Sequence, residues 1–576
     1  MADPSQLPSS SQNNPLKPKQ EKFTMETRFL VFFLVMMVVL SVTQYFYKPP
    51  VQPPQAPVKK MEVPPPSVAA LPAVTPGPLD HSAGAAPAQA STEAATRIEN
   101  GVSAVEFSNR GGGTIRSWVL TKFKEANDKP LDMVNASGKG IIPPPMSYEF
   151  KSVKPAIDLN QALFTSKVSD NGLRVDFEYS TGQLVARRSY QFKKDSYLSE
   201  ITSEVTQNGV LVPHYLAWRG GFGDSTVTKY YGVQRTVDYN NDKSKLETKD
   251  PKDAKDGPQM SSGSYGFAGV QDQYFGLAFL PKTNQMELLS FGDKLKLVGT
   301  DDEEYHAGAG VGGDGVNRLG MFAGPKDLQI LSAANPKLEP LIDWGFFGFV
   351  AKPLFYAMTW VYNNVAHNWG WAIVLVTLTI NLALFPLRFS SMKSAKKSAA
   401  LQPEMARIKE KYKGMSITDP KKQEENQEMM DMYKKHGINP VGGCVPLVLQ
   451  LPILWAFYSV LSNIIAMRGA SWLWVHDLSR PETLAIRLLP VILLVTQFIT
   501  QKMTPPSPGM DPSQQKMMMV MPLFMGYIFY YQSSGLVLYW LTSNLMGILL
   551  QWVTNRMMPA VKPAVIDVKP VSKKRK

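Results

Sequence analysis

The side chains best placed to do chemistry in this chain are polar ones set inside charge-free apolar stretches: Thr377, Thr379, Asn381, Gln450, Gln497, Thr500, Gln501, Ser543 and Asn544. In hydrocarbon an amide or hydroxyl has to be hydrogen-bonded or hydrated, so such groups face a bundle interior or a wet cavity. Their chemistry is binding and solvation. The other candidate groups mainly exclude functions. The six histidines (His81, His214, His306, His367, His436, His476) are scattered without metal-ligand spacing. Cys444 is the single cysteine, so no intramolecular disulfide forms, and in an apolar stretch it reads as a small core residue. Gly310-Val311-Gly312-Gly313-Asp314-Gly315 fits GxGxxG, but Val316–Phe322 after it does not read as a helix, so a glycine-rich hairpin is expected rather than a dinucleotide site. Neither a Walker sequence nor a nucleophile elbow is present, and no cofactor, metal or enzymatic role is indicated.

The elements that must position the polar groups are long apolar stretches. Net charge is +13 and mean hydropathy −0.14, an average over a polar region and apolar spans on either side of it. In such a chain excess Lys and Arg reports membrane topology and contact with anionic lipid. Residues 1–28 carry Lys17, Lys19, Lys22 and Arg28, which predict a cytoplasmic N-terminus, and Phe29–Tyr47 is an uncharged, uncleaved first anchor roughly 28 Å long. The proline- and alanine-rich residues 48–95 cannot bury a core and read as an extended linker.

From 96 to 338 the pattern changes to period two. Leu173-Arg174-Val175-Asp176-Phe177-Glu178-Tyr179 alternates apolar and charged residues, which puts one face on a core and the other in water. Val102–Phe107, Thr114–Val119, Leu184–Phe192 and Met286–Phe291 also read as strands, and Asn100-Gly101, Asn171-Gly172 and Asn208-Gly209 as turns. An all-β, antiparallel sandwich on the outer, periplasmic side is expected.

Residues 339–352 are aromatic and predict an interfacial amphipathic helix. A second span is expected over 353–387. Residues 388–440 hold twelve Lys and Arg beginning at Arg388, which fixes them as cytoplasmic. There Leu401, Met405, Ile408 and Tyr412 form one helical stripe, so a charged helical hairpin follows, with Met429, Met430 and Met432 as an adaptable surface if exposed. Spans at 441–467, 484–503, 517–533 and 534–556 follow, joined by an outer loop 468–483 and an inner loop 504–516, with a basic cytoplasmic tail at 557–576. The fold class is thus a multi-span α-helical membrane protein of six transmembrane helices with an inserted all-β periplasmic domain.

Motifs in the last third of the chain carry a resemblance. Asn368-Trp369-Gly370, Phe385-Pro386-Leu387, Leu401-Gln402-Pro403, Asn439-Pro440-Val441-Gly442-Gly443-Cys444-Val445-Pro446-Leu447, Gln450-Leu451-Pro452-Ile453, Trp474-Val475-His476-Asp477-Leu478 and Ser534-Gly535-Leu536-Val537-Leu538-Tyr539-Trp540 occur in one order over Pro353–Met557. That region resembles the YidC membrane protein insertases of Gram-negative bacteria. The resemblance implies an inner-membrane insertase and chaperone with a hydrophilic groove that accepts nascent hydrophobic segments and releases them into lipid. It also implies partners in nascent membrane proteins, the ribosome and the Sec translocon. By position Thr377, Asn381, Gln450, Tyr539 and Trp540 correspond to groove or client-contacting sites. Asn381 stands where the family commonly has arginine. Arg388, seven residues on and about 10 Å along a straight helix, is expected at the cytoplasmic mouth, which leaves the groove centre nearly neutral. The competing reading is a transporter or channel with a periplasmic accessory domain. It predicts internal repeats and mid-span ionisable residues, and neither is visible.

Overall fold

The computed structural model describes residues 87–557 apart from 126–128, 152, 225–233, 283–284, 297–301, 413–419, 438–444 and 504–511. The expected anchor Phe29–Tyr47, most of the linker, Asn439–Cys444 and the basic tail lie outside the described residues.

The period-two segment is all β. Among the described residues its strands form antiparallel sheets of four, ten and five strands. Arg174–Ser180 buries Val175, Phe177 and Tyr179 and turns the intervening charged residues outward. Leu184–Phe192 alternates in the same way between strands Arg174–Ser180 and Leu198–Gln207. Asn208 and Gly209 both take positive φ, the geometry a tight hairpin demands. Strand Glu303–Gly312 of the five-stranded sheet packs across Arg235–Asn240 and Tyr265–Gln271 of the ten-stranded sheet, so the two form a sandwich. Phe107 of the four-stranded sheet packs on Tyr190 and Phe177 of the ten-stranded one, with the Phe107 and Tyr190 centroids 4.7 Å apart.

The glycine run 310–315 is a connection between sheets and not a hairpin. Glu303–Gly312 pairs with Met286–Lys296 and His214–Trp218, whereas Val316–Pro325 pairs with Phe275–Pro281 and Leu198–Gln207. Gly312 and Gly313 have φ of +135° and +105°, and a Cβ on Gly312 would lie 2.7 Å from the Asn317 side chain and the His214 carbonyl. Glycine is needed there for the corner between layers.

Beside that corner, His214 is buried. Its Nδ1 lies 2.9 Å from the Val212 carbonyl and so donates, which leaves Nε2 to accept from Ser203 Oγ at 2.8 Å. The bond accepted at Nε2 favours the neutral ring, whereas the Val212 carbonyl favours the protonated one and is outweighed. Burial, with the Arg188 guanidinium adding to it, pushes its pKa down from 6.5 to about 4. Because the folded value is depressed, the unfolded chain binds the proton more readily. The contribution is complete above about pH 6.5 and is lost as pH falls toward 4, by roughly 3 kcal/mol. The full-length protein is therefore expected to melt at a lower temperature at pH 4.5 than at pH 7, and His214→Gln to flatten that part of the profile. An unaltered profile in the variant would rule the histidine out.

The rest of the described chain is helical: α1 Leu328–Ala334, α2 Gly348–Val361, α3 Trp369–Ala383, α4 Phe385–Ala400, α5 Gln402–Lys411, α6 Pro420–Lys435, α7 Val445–Asn463, α8 Leu488–Met503, α9 Pro512–Tyr530 and α10 Ser534–Met557. The helix expected over 353–387 is divided. After α2 a π-turn, Tyr362–Ala366, leads to His367 at φ +49°, which a right-handed helix cannot continue. Asn368 then caps α3 by accepting from Trp371 N at 3.2 Å. The bend between the two pieces is 116°. The aromatic helix begins at Gly348, later than the expected 339–352, and exposes Phe349, Tyr356 and Trp360. Among the described residues α10 is by itself long and apolar enough to cross a membrane, the bent pair qualifies together, and α8 and Met518–Tyr530 are shorter apolar helices.

α10 is the hub, packing on α3, α8 and α7. Its N-terminus is pinned by Ser534 N to Arg480 O and Gly535 N to Leu478 O, both 2.8 Å. The β-domain is joined to the helices at the turn after α7. Ile465 enters the β-domain core, while Ile464 and Met467 belong to the helical one. Gln273 Nε2 donates to Ser462 O at 2.7 Å, and Arg468 donates to Lys124 O at 2.9 Å and pairs with Asp224.

Ile408–Asp431 belongs to a separate compact unit. Within it Tyr412 is buried and Lys411 pairs with Glu428 at 2.9 Å. Of the methionines singled out in the hairpin, Met430 is exposed and Met432 buried.

Candidate functional site

A pocket opens among the apolar helices. Thr377, Ile380, Asn381, Leu384, Leu387 and Arg388 line it from the α3–α4 stretch, Gln450 and Ile453 from α7, and Tyr539 and Ser543 from α10. Residues 377, 381, 384 and 388 recur at helical spacing, so one stripe runs down the same wall. α3 ends at Ala383 and α4 restarts at Phe385, but Arg388 N still donates to Leu384 O at 3.0 Å, which keeps the stripe in register despite Pro386.

Local hydrogen bonds aim the polar groups. Thr377 Oγ1 donates to Ile373 O at 2.6 Å and so is satisfied on its own helix. Asn381 Nδ2 donates to Thr377 O at 2.8 Å, which turns its carbonyl oxygen toward α10, where Ser543 Oγ donates to it at 3.4 Å. Arg388 Nη2 donates to Gln450 Oε1 at 3.2 Å and ties α4 to α7. The half-buried guanidinium is the one charged group lining the pocket among the described residues. The pocket holding Asn381 therefore also holds a cation, contrary to the neutral centre expected from linear distance.

Four of the five residues singled out as groove sites, Thr377, Asn381, Gln450 and Tyr539, thus share one pocket with Arg388. Trp540 does not line it. Its ring packs on Phe529, 4.7 Å between centroids, because one residue along a helix turns a side chain by about 100° from Tyr539. Ser543 both hydrogen-bonds across to Asn381 and lines the pocket. Its i,i+4 spacing from Tyr539 was the available signal. Of the other polar residues, Gln501 Nε2 bridges to Met518 O at 2.6 Å and Thr500 bonds back to Thr496 O at 2.9 Å.

Tyr539 is buried and stacks on Phe457, with centroids 3.9 Å apart and planes 20° apart. Tyr539→Ala is expected to cost about 3 kcal/mol through the cavity it leaves between α7 and α10. Tyr539→Phe should keep most of that stability. Thermal melts of the purified variants would show it, and equal melts for the two variants would mean the stack is dispensable.

Comparison with known proteins bears on what this pocket serves. A family model described as 60Kd inner membrane protein matches residues 360–561, which contain the whole pocket, and one described as YidC periplasmic domain matches residues 95–357. The membrane protein insertase YidC of Bordetella avium is 32% identical over 488 residues, covering 81% of this chain and 83% of that protein. The chain belongs to the YidC family of membrane protein insertases. The YidC of Polynucleobacter asymbioticus is 38% identical over 314 residues, a match that spans about half of each chain (53%). A crystal structure of an active YidC insertase with its first transmembrane domain resolved aligns over 80% of this chain and 95% of that one, at 19% identity and a TM-score of 0.34. Membership makes this chain an inner-membrane insertase whose clients are nascent membrane proteins, with the β-sandwich as its periplasmic domain.

Proposed function

We propose that the pocket lined by Asn381, Arg388, Gln450 and Ser543 is the groove through which this YidC chain passes the polar part of a client while the client's apolar segment moves into lipid. The observation that carries this is a cluster of amide, hydroxyl and guanidinium groups where the apolar helices α3, α7 and α10 meet the start of the basic α4. An unsatisfied backbone group in hydrocarbon costs several kcal/mol, so a wall of hydrogen-bonding partners lowers the barrier to taking a polar loop across. Partition of the apolar segment into lipid supplies the drive, with no covalent step and no nucleotide. Six crossings, formed by Phe29–Tyr47, α3, α7, α8, α9 and α10 with both termini cytoplasmic, fit the charge pattern. α3 and α8, of 15 and 16 residues, reach only about 22–24 Å, which suits a locally thinned bilayer. The ribosome and the Sec translocon are the partners this reading adds.

Purified protein in liposomes, supplied with a newly made two-span client, tests it. Protease protection of the client's short acidic loop, absent in empty liposomes, is the expected result. An unprotected loop in the presence of folded protein would sink insertion by this chain alone.

A further inference from the structure

A second cavity, of about 670 Å³, lies away from the groove where the β-domain meets the helices. We infer that it is a binding site for the headgroup and glycerol of a zwitterionic phospholipid carrying a primary ammonium, drawn from the outer leaflet.

Arg235, at the start of a β-domain strand, and Asp343, in the loop before α2, put a cation and an anion on one cavity, and Ser459 Oγ donates to the Asp343 carbonyl at 3.4 Å. Trp455, Tyr458 and Phe347 also line it. The cavity's volume falls in the range of small-ligand pockets. That suits a headgroup with its acyl chains left outside along exposed Trp455 and Tyr458. The depth is right as well. Since the β-domain is periplasmic, this rim faces the outer surface, and Phe346 beside it is 90% exposed, as aromatic residues at a membrane interface are.

The charges choose the ligand. Arg235 is exposed, and its guanidinium fork matches a phosphodiester. Asp343 is also exposed. Its Oδ1 accepts from Gly345 N at 2.8 Å, and its backbone carbonyl is held by Asn463 Nδ2 at 2.8 Å, so the loop that presents the carboxylate is fixed to the end of α7. A carboxylate there repels an anionic headgroup and accepts hydrogen bonds from an ammonium, which a quaternary amine cannot donate. One cation and one anion thus favour phosphatidylethanolamine over phosphatidylglycerol and phosphatidylcholine.

Native mass spectrometry of the full-length protein, titrated with each of these three lipids and with free phosphoethanolamine, tests the inference without an insertion assay. Failure here and failure of the groove reading are therefore separable. The expected result is one tightly retained phosphatidylethanolamine, preferred about tenfold over the other two lipids, with free phosphoethanolamine not retained because it lacks the glycerol and chains. Asp343→Asn should abolish the preference, Arg235→Gln should weaken retention of all three lipids about tenfold, and Ser459→Trp should crowd the cavity beside Asp343 and weaken retention of the lipid, each variant melting with the wild type. Wild-type retention in all three variants would overturn the site and leave an annular lipid only. Tight binding of free phosphoethanolamine would also overturn it, in favour of a soluble ligand. A photocrosslinker at Ser479, on the same cavity, that captures a client's exported segment and not lipid would overturn it in favour of a peptide site.

Discussion

Arg388→Ala is expected to lower insertion of clients with an acidic exported segment by at least tenfold, while clients with neutral segments lose only a few-fold. The guanidinium is half-buried and hydrogen-bonded to Gln450, and among the described residues it has no carboxylate partner. It is thus available to an incoming anion. Two unit charges 4 Å apart at an effective dielectric of about 20 attract by about 4 kcal/mol. Realising half of that changes a partition by more than tenfold. Arg388→Lys keeps the charge but loses the fork and should fall between wild type and alanine. Asn381→Ala removes the link to Ser543 and should impair all clients by a similar modest factor, because it removes hydration and not charge. The readout is the protease-protected fraction in liposomes, with thermal melts as the control for folding. Equal loss for acidic and neutral clients in Arg388→Ala would defeat the electrostatic role, and an intact Asn381→Ala would remove that residue from the site.

The second large effect is expected at the junction of the two domains. Arg468→Ala should lower stability by about 3–5 kcal/mol, the usual cost of removing one partner of a buried ion pair. Side-chain exposures of Arg468 and Asp224 are 11% and 1%, so water cannot replace the lost guanidinium. The pair does not act alone. Asp224 N donates to Asp272 Oδ2 at 3.1 Å, and Asp272 Oδ1 accepts from Tyr274 N and Phe275 N, which places the Phe275 ring 5.4 Å from the Arg468 guanidinium. Loss of Arg468 should therefore lower the first melting transition and expose the segment around Ile465 to protease. The double variant Arg468→Gln with Asp224→Asn should recover part of the loss, because it leaves neither member of the ion pair as an unpaired buried charge. If Arg468→Ala melts and digests like the wild type, the apolar insertion of Ile465 holds the domains together without the ion pair.

Gly370 offers a smaller test of the outer end of α3. A Cβ there would come within 2.2 Å of the Trp472 side chain, so Gly370→Ala is expected to cost about 1–3 kcal/mol by displacing the indole. A melt equal to wild type would show that the loop yields freely.

Much of the β-domain was legible because alternation is a local signal. Val175, Phe177 and Tyr179 had to share a face whatever they packed on. Pairing was not legible. The glycine run 310–315 joins two strands whose partners lie elsewhere in the chain, so a local motif was read as a local turn. The break at His367 escaped notice because no proline or glycine stands there; the chain bends through one left-handed histidine and the Asn368 cap. In the pocket, Thr377, Asn381 and Arg388 were visible as polar interruptions. That Arg388 lines the same pocket as Asn381 depends on its angular position on the same stripe, which distance along the axis does not record.

Sequence alone thus determined the classes of segment: apolar stretches long enough to leave water, basic flanks that orient them, and a period-two region that must form sheets. Each follows from the transfer free energy and backbone geometry of a few adjacent residues. Tertiary structure alone decided that α3, α4, α7 and α10 converge on one polar pocket, that Ser543 reaches Asn381 across 162 residues, and that Arg468 finds Asp224 across 244. Those contacts depend on which apolar faces meet, and many pairings of similar helices and strands bury similar area. Packing complementarity selects among them, and no local pattern records that choice.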